Sequence, residues 1–365
     1  MLFPEIETPA LLIEQAILNR NIETMQRLAD SHHVKLRPHI KTHKSAVIAG
    51  MQLVAGACGI AVAKLSEAEI MARHGIHDIQ VANQVTGASR IRRLLALADS
   101  TAITCCIDSA ANAHELSAAF SVRGRRLAVF IEIDTGLHRC GLSDPDQIVK
   151  LGRVIDECEG LALVGIMTHA GHAYAAADIN AVGNIGRSEG ETMVRLAEVL
   201  RRSGLRIEQI SVGSTPTARH AVVVPGITEL RVGNYAFNDM IQVSLGVATR
   251  DQCALTVLST VISVPADNRA VIDAGSKSLT TEQGAHGNAK LAGYGRVCDR
   301  AITLTRLSEE HGVIEPRGID VSIGSRIRII PNHACATVNL YDHAYLVDGD
   351  RVLQQIPIDA RGCIV

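Results

Sequence analysis

Across residues 34–235 the chain alternates short apolar runs with amphipathic stretches eight times, and this rhythm limits the fold more than any single motif does. The runs that read as strands fall at about 34–41, 57–63, 78–83, 101–108, 127–134, 161–169, 208–213 and 229–235. Ahead of the first run and between the sixth and seventh, AILNRNIETMQRLADSH and GETMVRLAEVLRRSG carry apolar residues at helical spacing. Eight strand–helix units in succession predict an α/β fold, a TIM-type (β/α)8 barrel, and not an open doubly wound sheet. No GxGxxG follows the first run, which counts against a dinucleotide fold.

The pattern changes near Gly246. Beyond it come the strand-like runs CALTVLSTVISVP, NRAVIDAG, RIRIIPNHA and ATVNLYDHAYLVDGDRVLQQIPI, joined by turns such as VDGDR, with no strong helix. The expected organisation is a barrel over 10–245 and a smaller β-rich domain over 246–365. Residues 1–9 join the second domain, because a strand ahead of the first barrel helix has to pack somewhere.

Composition removes several classes of function. A formal net charge of −2 without a basic block argues against nucleic acid or an anionic membrane as partner. Trp is absent and aromatic residues make up 2%, too few for base-stacking platforms. No apolar run is long enough to span a bilayer, and the first residues lack the basic and apolar regions of a signal peptide. Nine cysteines, scattered and odd in number, read as reduced thiols of a cytoplasmic protein.

The segments with chemical potential lie at the C-terminal ends of the barrel strands, where barrel active sites form. In Arg37-Pro38-His39-Ile40-Lys41-Thr42-His43-Lys44, an extended chain would turn Arg37, His39, Lys41 and His43 to one face. Neighbouring cations lower an amine's pKa, and only a neutral amine attacks a carbonyl. Lys41 is therefore a candidate for carbonyl chemistry, the other reading being a basic patch for a phosphate or an acidic partner. Lys44 faces the other way and opens the next helix. Asp134-Thr135-Gly136-Leu137-His138-Arg139-Cys140-Gly141 can hold Arg139 as a fixed cationic fork or be an ordinary turn. In Met167-Thr168-His169-Ala170-Gly171-His172-Ala173-Tyr174, two histidines and a tyrosine fall within six positions, placed to lie against a flat ring or to serve structure alone. Gly213-Ser214-Thr215-Pro216-Thr217 and Arg231-Val232-Gly233-Asn234-Tyr235 end the seventh and eighth strands, the recurrent phosphate position of barrels. In Asn332-His333-Ala334-Cys335, His and Cys two apart on an extended chain project to one side and suit zinc, or are incidental. Glu309-Glu310-His311-Gly312 reads as a solvated loop.

These segments, in this order, resemble the D-serine dehydratase and D-threonine aldolase family, which shares the alanine racemase-type barrel of fold type III pyridoxal phosphate (PLP) enzymes. The likeness runs from Thr8-Pro9-Ala10 to Ala360-Arg361-Gly362, and RPHIKTHK is its most specific part. It implies that Lys41 carries the cofactor and that Arg139 contacts its 3-oxygen. His169 then lies at the ring, Arg231 faces the pyridine nitrogen, and Ser214, Thr215, Gly233, Asn234 and Tyr235 bind the phosphate. His333 and Cys335 are the implied metal ligands, with zinc favoured and manganese or magnesium as substitutes.

The resemblance also sets the expected activity. It is a PLP- and divalent-metal-dependent lyase acting on small D-3-hydroxy amino acids, with Lys41, His169 and Tyr174 as catalytic residues. Dehydratase members carry His-x-Cys and aldolase members His-x-Asp. The His-x-Cys and the GSTPT loop here imply dehydration of D-serine or D-threo-3-hydroxyaspartate to a 2-oxo acid and ammonia. Retro-aldol cleavage to glycine and an aldehyde is the first alternative, and a metal-free amino-acid racemase the second. A non-catalytic PLP carrier would lack the C-terminal β domain. Racemase relatives imply a homodimer.

Overall fold

The structure, a computed structural model, describes residues 2–365 apart from 266–267, 287–289, 299, 301 and 316–319. The chain opens with β1 (Ala10–Glu14) and α1 (Gln15–Ser31). There follow β2 (Lys35–Leu36), α2 (Ala46–Val54), β3 (Ile60–Val62), α3 (Leu65–Arg73), β4 (Asp78–Gln84) and α4 (Ala88–Ala98). Next come β5 (Ala102–Ile107), α5 (Ala110–Ser121), β6 (Leu127–Ile133), α6 (Pro145–Glu157), β7 (Leu161–Thr168) and α7 (Ile179–Arg202). β8 (Gln209–Val212), α8 (Ala218–Ala221) and β9 (Glu229–Leu230) complete the series. Several helices begin at a side-chain cap: Ser109 accepts from Asn112 N, Asp144 from Asp146 N with Pro145 beside it, and Asp178 from Ala181 N.

Strands β2–β9 form one parallel sheet in the order β2-β9-β8-β7-β6-β5-β4-β3. Its two edges meet where His39 bridges Ala61 and Ala61 N donates to Pro38 O at 2.8 Å. This is the expected (β/α)8 barrel. Alternation along each strand divides the core in two. Val129, Ile131 and Ile133 of β6 face the helices, as do Cys105 of β5 and Ile166 of β7. Cys106, Phe130 and Met167 instead fill the barrel interior with Ala82 and Val164. Continuing the inward series along β6 brings Glu132 to the mouth, where the functional cavity lies.

Two runs form less strand than their apolar length suggests. The 34–41 run pairs through Lys35–Leu36 and the His39 bridge, then turns into a 3-10 helix at Ile40–Thr42. Arg37 and His43 therefore leave the cavity face expected for them. Arg37 is tied to Glu229 and Asp78, and His43 is buried with its Nε2 at 3.1 Å from Gln52 Oε1. The 229–235 run becomes a 3-10 helix at Asn234–Ala236.

After α9 (Met240–Ser244) come β10 (Leu255–Ser263), β11 (Ala270–Ile272), α10 (Ser276–Leu279), β12 (Arg296–Val297), β13 (Arg306–Leu307), β14 (Gly312–Ile314) and β15 (Arg326–Ile330). α11 (Ala334–Val338), β16 (His343–Asp348) and β17 (Arg351–Pro357) end the chain. These strands make a separate mixed sheet. β1 belongs to it, antiparallel to β10 and parallel to β16. The boundary expected at residue 10 thus moves to residue 15, since Ala10–Glu14 hydrogen-bond into the second sheet. The 330–337 segment is not the extended strand expected: His333 sits at the N-cap of α11 and Cys335 lies within that helix.

Candidate active site at the barrel mouth

A cavity of about 1060 Å³ opens at the C-terminal ends of the barrel strands and is covered by loops of the second domain. Its barrel wall holds His39, Lys41, Arg139, His169, Tyr174, Ser214, Thr215, Arg231, Gly233 and Asn234. Its other wall holds Thr280, Glu282, His286, His333 and Cys335.

The 3-10 turn after His39 delivers Lys41. Burial, with Arg139 and Arg231 nearby, holds this amine below the usual lysine range, against the opposing pull of Cys335. Lys44, expected to face away, also reaches the cavity wall, but its Nζ is committed to Glu67 at 3.3 Å and to Cys363 O at 3.1 Å. Gly233 lies so close to the lysine segment that a Cβ there would stand 2.7 Å from His39 O and 3.0 Å from Thr42 Oγ1.

The turn after β6 folds back on its own strand. Asp134 Oδ1 accepts from Gly136 N and His138 N at 2.9 and 3.0 Å, and Leu142 N returns to Glu132 O at 3.0 Å. Gly141, at φ 96°, could not carry a Cβ, which would fall 2.8 Å from Asp134 N. The turn presents an exposed Arg139 to the cavity.

His169 stays neutral, because burial first and then Lys41 and Arg139 push its pKa well below the usual value. Its Nδ1 lies 3.4 Å from Gly213 O, and its buried Nε2 has no partner among the described residues. The His286 ring stands 5.7 Å from the His169 ring and 5.2 Å from that of Tyr174. Burial raises the Tyr174 pKa, so its hydroxyl keeps its proton, and it accepts from Gln242 Nε2 at 3.4 Å. Arg231 donates to Ser211 Oγ at 2.6 Å and to Thr168 O, deep in the barrel. Tyr235, expected at the phosphate, is directed elsewhere: its ring is in the helix-side core and its hydroxyl accepts from Gln52 Nε2 at 3.0 Å. Only its backbone N–H turns toward the phosphate loop, donating to Thr215 Oγ1 at 3.0 Å.

Sequence reasoning missed four residues that organise this site. Glu189 of α7 accepts from Gly213 N and Thr217 Oγ1, both at 2.8 Å, and also from the Ala170 backbone. One buried carboxylate thereby holds both the Ser214–Thr215 loop and the turn that carries His169. Asp239 accepts from Asn234 Nδ2 at 2.6 Å and from Ala334 N at 2.9 Å. Glu282 pairs with His333 Nδ1, and the His286 ring lies tilted against those of His169 and Tyr174. A Gly-flanked polar run, TEQGAHG, was the available signal for the last two.

The residues fit the implied cofactor. A buried amine held below its usual range, a His169 ring nitrogen and an Asn234 Oδ1 without partners among the described residues, and a hydroxyl-bearing loop after β8 surround a single cavity. They also fit a metal held by two protein ligands. Cys335 Sγ lies 3.2 Å from Thr42 Oγ1, and His333 and Cys335 hydrogen-bond each other. With Nδ1 taken by Glu282, His333 keeps Nε2 for the sulfur side. Among the described residues no group of three or more His, Cys, Asp or Glu is assembled to hold a metal.

Residues 13–240 match the alanine racemase N-terminal domain and residues 254–347 the putative serine dehydratase domain. Over 349 residues the chain is 36% identical to D-threo-3-hydroxyaspartate dehydratase of Delftia sp. (strain HT23), covering 91% of this chain and 92% of that one. It is 34% identical over 365 residues to a D-threonine aldolase of Arthrobacter sp., covering 98% and 93%. The chain belongs to the D-serine dehydratase and D-threonine aldolase family. Two solved structures of D-threo-3-hydroxyaspartate dehydratase match it at TM-score 0.91 and 34% identity, covering 98% of this chain and 96% or 98% of theirs. One carries a histidine-to-alanine change and the other, in a metal-free form, a cysteine-to-alanine change two positions further on. His333 and Cys335 stand at the same spacing. The family is one of fold type III PLP enzymes, and a metal is bound within it.

Proposed function

We propose that this chain is a lyase that dehydrates a D-3-hydroxy amino acid, D-serine or D-threo-3-hydroxyaspartate, to a 2-oxo acid and ammonia, using PLP and zinc. The observation that carries the reading is the approach of Cys335 to within 3.2 Å of Thr42, the neighbour of Lys41. It sets His and Cys donors, which suit a borderline-soft ion, beside a buried amine held below the usual lysine range. PLP, when bound, supplies an electron sink for the electrons left at Cα, and the metal a Lewis acid for the β-hydroxyl.

The chain's own residues do the rest. The Lys41 amine, held below the usual lysine range by burial, would bond the cofactor's carbonyl carbon and, when free, would take the proton from Cα at Nζ. Ser214 and Thr215, held by Glu189, present hydroxyls to the phosphate. Arg231 offers a fixed cation near the ring and leaves any nitrogen it faces unprotonated, which weakens the sink and gives the metal more to do. His333 and Cys335 leave positions open for the hydroxyl and water. Tyr174 holds its proton at Oη. In this reading the barrel carries the cofactor and the second domain the metal. The odd number and scattered spacing of the nine cysteines support a reducing cytoplasm, and family resemblance supports a homodimer.

The test is a product assay on D-serine, D-threonine and D-threo-3-hydroxyaspartate. The expected products are 2-oxo acid and ammonia in equal amounts, lost after chelation and restored by zinc. Glycine and an aldehyde as main products would replace this reading with retro-aldol cleavage, which the D-threonine aldolase relative keeps in view.

A further inference from the structure

Against the cavity-lining Asn234, the barrel and the second domain meet at the carboxylate of Asp239, which is wholly buried. Its Oδ1 accepts from Gln242 N at 3.1 Å and so caps α9. Its Oδ2 accepts from two groups on opposite sides of the site: Asn234 Nδ2 at 2.6 Å, from the loop after β9, and Ala334 N at 2.9 Å. Ala334 is the residue between His333 and Cys335. The two segments also run side by side, with Met240 N donating to Pro331 O and Ile241 N to Asn332 O, both at 3.2 Å. The Asn234 amide reaches on to Cys335 Sγ at 4.0 Å. A carboxylate only accepts, so it fixes which end of the Asn234 amide faces it and where the Ala334 N–H must lie.

We propose that Asp239 is a positioning residue that couples the cofactor and metal half-sites, so that filling either one strengthens binding at the other. The inference rests on the reading of Lys41 as cofactor lysine and of His333 and Cys335 as metal ligands. Ordering Asn234 fixes Asp239, and Asp239 fixes the backbone between the two metal ligands. Linkage then requires the same coupling factor in both directions.

The test is a cycle of four titrations on the full-length apo-protein. PLP binding is followed by its yellow absorbance with and without zinc. Zinc binding is followed by competition with a chromophoric chelator, with and without PLP. In the wild type each ligand is expected to tighten the other by about tenfold, by equal factors. Asp239→Asn keeps an oxygen for Gln242 N, hence the α9 cap, but turns an amide N–H toward Ala334 N and Asn234 Nδ2. Coupling should fall to within about twofold while both ligands still bind. Asp239→Ser keeps the cap and loses the reach, with the same expected result. Independent binding of the two ligands to the wild type overturns the proposal, as does undiminished coupling in both variants. If neither variant folds, the wild-type cycle decides alone. A wild type that binds neither ligand overturns the reading of the site as well, so the two failures are distinct.

Discussion

Replacing Glu189 by Gln should weaken cofactor binding while leaving the bound enzyme competent. The carboxylate accepts from Gly213 N and Thr217 Oγ1, each at 2.8 Å, and is almost fully buried. An amide of the same shape keeps one acceptor and sets an N–H against the other donor. Gly213 N cannot turn away, and Thr217 can accept only by giving up its own donation. One unpaired buried donor costs about 1–3 kcal/mol. In the free protein the 213–217 loop relaxes around the mismatch. A bound phosphate restores the original geometry, so the loss is taken at the binding step. A value of about 2 kcal/mol corresponds to an increase of roughly 30-fold in the PLP dissociation constant. The assay is an absorbance titration of apo-enzyme with PLP, alongside kcat at saturating PLP and thermal unfolding of the apo form. kcat should stay within about threefold of wild type. A dissociation constant unchanged within about twofold, with the melting temperature alone lowered, would refute the argument and leave Glu189 a packing residue.

The other consequences are more direct. Lys41→Ala should abolish the yellow, borohydride-trappable adduct and lower turnover by about 10²–10⁴-fold, because Lys44 is committed to Glu67 and Cys363; trapping on Lys44 at the wild-type level would contradict this. Burial holds the His43 pKa at about 4 against an ordinary 6.5. Between these values the unfolded chain binds a proton that the folded chain does not, so stability falls as pH drops from 6.5 to 4, by about 3 kcal/mol for this group. His43→Gln should flatten that part of the curve in urea unfolding at a series of pH values. Gly233→Ala drives a Cβ to 2.7 Å from His39 O, so it should cost about 1–3 kcal/mol in stability and weaken PLP binding through the displaced lysine segment; an unaltered PLP affinity would show that the segment does not move.

Local pattern made the barrel legible. Inward and outward positions alternate along each strand whatever the rest of the chain does, and the cavity-facing Lys41, His169, Ser214 and Arg231 each fall where a strand gives way to a loop. Geometry inferred one residue at a time fared worse. His333 and Cys335 were expected to share the face of an extended strand, yet they adjoin because the first turn of α11 folds Cys335 back toward the N-cap. Tyr235 was expected at the phosphate, but the Gln52 Nε2 donor in the core holds its hydroxyl and turns the ring outward. The residues that escaped notice have partners far along the chain: Glu189 serves positions 213 and 217, and Glu282 serves His333. Glu189 and Asp239 lie outside the cavity lining and bear on the ligand only through other groups. Even so, one of them left a trace. Val182, Gly186, Glu189, Met193, Leu196 and Leu200 recur at spacings of three and four along α7, and all are buried. A carboxylate in the middle of that apolar stripe has to find donors inside the protein, and the nearest backbone with N–H groups to spare is the loop that turns at the barrel mouth.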